Sequence, residues 1–180
     1  MNYPLLQRAH WQRQDLVWVL RANRWARTSP LTPCFILASR LGDGPLWYCL
    51  MLGAVLVDGL SGLVASVHMA LTGLLALGLY MRLKRHTQRP RPFATEPRVK
   101  ALTPALDEFS FPSGHTLHAV AFTSVAVAWY PQLAWLLVPI TLIIAASRVV
   151  LGLHYPSDVF AAALIGCLLS TLSLLPLLWL

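Results

Sequence analysis

Acidic residues are scarce in this chain: seven Asp and Glu stand against 14 Lys and Arg among 180 residues, and charged residues make up only 12% of the total. A soluble domain of this size needs a larger polar surface, so that scarcity argues against an unusually apolar soluble helical domain. Cysteine is also rare. Cys34, Cys49 and Cys167 lack metal-ligand spacing, which excludes a cysteine-built metal site and leaves burial as their expected role. No basic helix or ribbon stands interleaved with exposed aromatics, so the net charge of +7 does not indicate nucleic acid. The first thirty residues are too polar and Arg-rich for a secretory signal with a clean apolar core. What is abundant is hydrophobic sequence, at 57% of residues and a mean hydropathy of +0.60. An all-α, polytopic transmembrane bundle follows. The basic excess then suits phosphate groups and anionic lipid heads.

Residues 1–44 read as an N-terminal amphipathic interfacial segment, and residues 45–180 as the membrane domain. Leu16, Val17, Val19 and Leu20 form a short apolar patch among Arg8, Arg13, Arg21, Arg24 and Arg27, beside Trp11, Trp18 and Trp25. Tryptophan next to arginine favours the headgroup layer, so a helix lying on the membrane fits better than a crossing one. Pro30 to Pro33 breaks it, a second short helix runs to about Leu41, and Gly42 to Pro45 is a turn. Five apolar runs follow: Leu46 to Val57, Leu63 to Leu83, His115 to Tyr130, Leu133 to about Val150, and Val159 to Leu180. The first is short against the ~20 residues of a full span. Five spans are expected; a sixth would need a further N-terminal crossing. Residues 85–111 read as an ordered surface loop.

Three polar islands interrupt the apolar half. They are Lys84 to Pro92, Phe109 to Thr116, and Ser147 to Asp158. Span parity places Lys84, Arg91, His115, Arg148, His154 and Asp158 on one membrane face. Each island alone has an ordinary reading. Lys84 or Arg91 beside a helix end suits a solvated anchor, His115 suits an interfacial position, and His68 and His118 suit structural roles. The i, i+3 pair His115 and His118, completed by Asp107 or Glu108, is a metal alternative, but it lacks the i, i+4 spacing of the usual zinc helix.

Together the islands suit phosphoryl transfer. The transferred group spreads negative charge over three oxygens, and catalysis is mainly orientation and electrostatic clamping. Lys84, Arg91 and Arg148 supply three cations, two of them planar forks matched to phosphate. Ser113 and Gly114 open a helix, where backbone N–H groups and the dipole favour an anion. Two histidines can divide the chemistry, one attacking phosphorus and the other protonating the leaving oxygen. Asp158, four residues after His154, can accept a hydrogen bond from one imidazole nitrogen.

These islands resemble the signature of the type 2 phosphatidic acid phosphatase family: Lys, six residues, Arg-Pro; Pro-Ser-Gly-His; Ser-Arg, five residues, His, three residues, Asp. Lys84 and Arg91-Pro92 match the first, Pro112 to His115 the second, and Ser147-Arg148, His154 and Asp158 the third. The likeness covers about residues 42 to 180. It implies hydrolysis of a phosphomonoester or diphosphate without metal or other cofactor. His154 is implied as the nucleophile forming a phosphohistidine, Asp158 as its orienting acid, and His115 as the acid for the leaving group. Lys84, Arg91, Ser113, Gly114 and Arg148 are implied as the phosphate cradle. The lead substrate is undecaprenyl diphosphate, with phosphatidylglycerophosphate, phosphatidate or a lipid A phosphate as alternatives. A lipid-phosphate carrier that performs no hydrolysis is the rival.

Orientation brings two signals into conflict. The N-terminal arginines share the catalytic face, which the positive-inside rule makes cytoplasmic. The resemblance implies a bacterial inner-membrane protein working on the periplasmic face. Catalysis already accounts for Lys84, Arg91 and Arg148, and the periplasmic expectation is kept.

Overall fold

Proline marks where several helices begin. Pro33, Pro45, Pro92 and Pro156 stand in first turns, where the missing N–H forfeits no intrahelical bond and the fixed φ suits the helix. The computed structural model describes residues 3–175, with side chains from residue 13. Its helices are α1 (Tyr3–Ala26), α2 (Thr32–Gly42), α3 (Pro45–Thr87), the short α4 (Pro92–Thr95), α5 (Gly114–Trp129), α6 (Ala134–Val150) and α7 (Pro156–Leu174). A 3-10 turn, Pro131–Leu133, leads into α6. The described residues contain no strand, only an isolated bridge between Pro90 and Phe109.

Gly59, at φ 57° and ψ −120°, breaks α3 into two arms, 45–58 and 60–87. The arms fold back on each other. A Cβ at Gly62 would lie 2.0 Å from the Ala54 carbonyl oxygen, and Ser66 Oγ donates to Met51 O at 2.9 Å. The two runs expected at 46–57 and 63–83 are therefore the arms of one hairpin. By length and composition α3, Pro131–Val150 and α7 could cross a membrane; α5 has 16 residues. The last expected span ran to Leu180, and its final residues, 176–180, lie outside the described residues.

At the centre α5 packs against α3, α6 and α7. The core is built from small and aliphatic side chains such as Ala76, Leu117, Ala119, Val125, Ile144 and Ala162. Polar contacts join helices in the apolar interior, where close packing and hydrogen bonds replace the hydrophobic drive. Thr123 pairs with Thr141 at 2.6 Å. Trp129 Nε1 donates to His68 Nδ1 at 3.1 Å, leaving His68 Nε2 to donate to Ser173 Oγ at 3.0 Å. His68 is thus structural, as expected. The outer surface is apolar, with Leu56, Val57 and Trp135 exposed by 76%, 89% and 90%. Burial was expected for the three cysteines. They are instead exposed, because they face outward from this apolar shell.

The two ends differ in chemistry. At one, Tyr130 Oη donates to Asp58 at 3.0 Å, joining the tip of the α3 hairpin to the end of α5. The other carries all three polar islands, and α1 straps across it. Val19 is buried against Val99, Val149 and Tyr155. Asn23 Nδ2 donates to Lys100 O and Val150 O, while its Oδ1 accepts from Lys100 N–H at 2.9 Å.

Candidate active site

The loop after α6 folds back immediately, because Leu153 and His154 N–H both donate to Arg148 O, at 3.1 and 3.0 Å. That turn buries His154 beside the end of α6. Its Nδ1 donates to Ser110 O at 2.7 Å, so Nε2 carries the lone pair. Nε2 in turn lies 3.2 Å from Arg91 Nη1. Burial pushes the imidazole down to about 3; Asp158 opposes that shift, and the Arg148 and Arg91 charges reinforce it. The neutral, nucleophilic form is therefore held ready.

Asp158 was expected to accept directly from His154. Its Oδ2 is 3.7 Å from Nδ1, beyond a hydrogen bond, and acts on the imidazole through charge. Ser110 mediates the link: its carbonyl accepts from the imidazole Nδ1–H, and its hydroxyl donates to Asp158 Oδ2. Asp158 Oδ2 also accepts from Tyr155 N–H at 2.8 Å, capping α7, and Oδ1 accepts from Arg89 Nη1 at 2.6 Å. Arg89 stacks over the Tyr155 ring at 4.1 Å and reaches Asp15 of α1 at 2.9 Å.

The cations lie at the same end of the bundle. Arg91 is buried and spends Nη1 on Leu153 O at 2.9 Å as well as on His154. Lys84, at the end of α3, donates to Phe109 O and Asp107. Arg148 is buried, donates through Nη1 to Ser39 of α2, and keeps a buried Nε with no hydrogen-bond partner among the described residues. An unpaired guanidinium N–H in such a place is costly, and an anionic oxygen would satisfy it.

Ser113 caps α5, and the first intrahelical bond of α5 runs from Leu117 N–H to Ser113 O at 3.0 Å. The first-turn amides lie ahead of that bond. Ser113 differs in part from expectation: its own N–H donates to Asp158 O at 3.3 Å, and its hydroxyl pairs with Thr116 at 3.0 Å. Gly114 is required by packing, since a Cβ there would lie 2.7 Å from the Tyr80 ring. His115 places Nε2 against the Asp43 carboxylate, in a close contact that is not a well-directed hydrogen bond. Burial pushes the Asp43 carboxyl up, but His115 and the nearby Arg148 and Arg40 charges outweigh it and hold it below the ordinary range. His118 Nδ1 pairs with Gly114 O at 2.9 Å, a structural role.

Asp43, Ser39, Ser110 and Arg89 were missed as site residues in the sequence, and Asp107 was read there only as completing the metal alternative. Asp107 accepts from Lys84 and Tyr80 through its carboxylate, and from Arg91 Nη2 at 2.9 Å. Burial pushes its carboxyl up, yet the Lys84 and Tyr80 bonds and the Lys84 and Arg91 charges hold it at about 2. With those cations as partners it is not a free metal ligand, and among the described residues no three His, Cys, Asp or Glu side chains gather as a metal site.

The profile described as PAP2 superfamily matches residues 48–177. The chain is 29% identical over 106 residues to the undecaprenyl-diphosphatase BcrC of Bacillus subtilis, covering 59% of this chain and 54% of that protein. It spans between 38% and 54% of the length of the curated relatives with which it shares such local matches. Among solved structures, LpxE of Aquifex aeolicus superposes with a TM-score of 0.75 at 27% identity, over 87% of this chain and 92% of that one. A transmembrane PAP2-type phosphatidylglycerolphosphate phosphatase from Bacillus subtilis gives 0.71 at 25% identity, over 91% and 84%. With its apolar exterior and long apolar helices, the chain is a multi-pass, all-helical membrane protein.

Proposed function

Because the chain belongs to the PAP2 superfamily, we propose that it is a membrane-embedded lipid phosphatase acting through a phosphohistidine on His154. The carrying observation is the environment of His154: Nδ1–H locked on Ser110 O, and Nε2 directed at the buried Arg91 guanidinium. Nε2 donates its electron pair to phosphorus. The bond from phosphorus to the leaving oxygen breaks, and His115 supplies the proton to that oxygen. His115, neutral again, then takes a proton from water as the water oxygen attacks phosphorus. The P–N bond breaks, its electron pair returns to Nε2, and inorganic phosphate leaves. Lys84, Arg91, Arg148 and the first-turn amides of α5 hold the three phosphoryl oxygens. Asp158 and the Ser110 carbonyl stabilise the imidazolium formed on attack.

Undecaprenyl diphosphate is the lead substrate, supported by the name of the B. subtilis relative. A phosphatidylglycerophosphate is the alternative, supported by the name of the second solved structure. The proposed site lies at the periplasmic face of a bacterial inner membrane, in a chain crossing five times. Purified protein in detergent with excess EDTA is expected to release inorganic phosphate from undecaprenyl diphosphate. Activity lost in chelator and restored by a divalent ion would instead place a metal in the reaction. Lipid phosphate bound but never hydrolysed, across a panel that includes phosphatidylglycerophosphate, phosphatidate and a lipid A phosphate, would support a carrier.

A further inference from the structure

The cationic clamp already holds an anion belonging to the chain. Four of the five Arg91 N–H groups are engaged: Nε on Asp107 O, Nη1 on Leu153 O and His154 Nε2, and Nη2 on the Asp107 carboxylate. Two of the three Lys84 donors go to the same carboxylate and to Phe109 O. A phosphoryl group in transfer presents three charged oxygens, and those oxygens need the donors that Asp107 takes. The carboxylate and a phosphate dianion cannot share Lys84 and Arg91 without like charges meeting in a largely buried site.

Asp107 is placed to give way. It lies in the segment between α4 and α5, outside any helix, and its side chain is 31% exposed where those of Lys84 and Arg91 are 7% and 2% exposed. Its backbone is fixed separately, because Arg91 Nε donates to its carbonyl at 2.9 Å. Rotation about the side-chain bonds alone would release both cations.

We infer that Asp107 is an internal competitor for the substrate phosphate. Its carboxylate yields Lys84 and Arg91 to an incoming phosphoryl group and reclaims them as inorganic phosphate departs. It is a residue of product release and phosphate affinity, and Tyr80, donating to its second oxygen, strengthens the competitor. The inference rests on the lipid phosphatase reading.

The opposite role is that of an organiser, an acid that holds the cations in position for phosphate. The two roles differ in sign. Titration of inorganic phosphate into the detergent-solubilised protein, read by calorimetry and by inhibition of undecaprenyl diphosphate hydrolysis, separates them. Asp107→Asn is expected to bind inorganic phosphate at least tenfold more tightly than wild type and to show stronger product inhibition. Tyr80→Phe, which keeps the carboxylate but removes one of its bonds, is expected to shift the same way by a smaller factor. It also provides a readout if the Asn variant does not fold. Phosphate affinity that is unchanged or weakened in these variants would overturn the competitor. A wild-type protein that neither turns over lipid phosphate nor binds inorganic phosphate would instead sink the phosphatase reading. Wild-type turnover with no gain in either variant would sink the inference alone.

Discussion

His154 is the residue whose surroundings explain most. Burial holds its imidazole at about 3, whereas an unfolded histidine titrates near 6.5. Between these values the unfolded chain binds one more proton than the folded one, so stability is lost as pH falls through that window. Asp107, held at about 2, acts only below the ordinary carboxylate range and is silent above it. The thermal midpoint in detergent is therefore expected to fall between about pH 7 and pH 5 by more in wild type than in His154→Gln. Parallel curves for the two proteins would contradict the burial of a neutral imidazole.

At this scale the sequence revealed much, but unevenly. Lys84, Arg91, Arg148, His115, His154 and Asp158 stand out by residue type and spacing, and the structure gathers them at one end. Ser110 could not be read in the same way, because its decisive group is a carbonyl that every residue carries. Asp107 and Asp43 are ordinary loop acids until folding sets them against cations and an imidazole. Ser39 gains its role only because α2 packs along α6.

Among the elements, the α3 hairpin and the α1 strap have testable consequences. Gly59 adopts a positive φ, and Gly62 lets one arm approach the other closely. Gly62→Leu would force a side chain against the Ala54 carbonyl, and overpacking of this kind costs about 1–3 kcal/mol. A lower thermal midpoint by fluorescence size-exclusion chromatography is expected, and a wild-type midpoint would contradict the close-packed hairpin. The spans were legible from their apolar runs and the turns from their Pro and Gly residues. That the 58–59 break reverses the chain needed contacts between the arms.

The strap brings α1 into the catalytic network through Asp15, Arg89 and Asp158. Sequence reading placed α1 at the interface and gave it no part in the site. Its buried Val19 and bridging Asn23 explain the difference, since neither residue is distinctive in type. Arg89→Ala would leave the buried Asp158 without its cationic partner, and kcat/KM is expected to fall roughly tenfold or more. Asp15→Asn leaves the Arg89 to Asp158 bond in place, so a smaller loss is expected. Equal losses, or none from Arg89→Ala, would show that the strap does not support the nucleophile.

At the scale of the whole molecule, an apolar shell carries a polar, cationic site at one end only. A lipid phosphate fits that arrangement, with its headgroup in the clamp and its tail along the exposed leucines and valines, whereas a soluble ester gains nothing from the shell. The central claim is a covalent phosphoryl-enzyme at His154 Nε2, the imidazole nitrogen that does not bond the Ser110 carbonyl. Its most direct measurement is a single turnover with radiolabelled undecaprenyl diphosphate, quenched in alkali, where phosphohistidine survives, and mapped by peptide. Label on His154 that forms and decays at rates consistent with turnover, and that is absent from His154→Ala, is the expected result. Label on another side chain, or wild-type turnover with no covalent label at any time point, would contradict it.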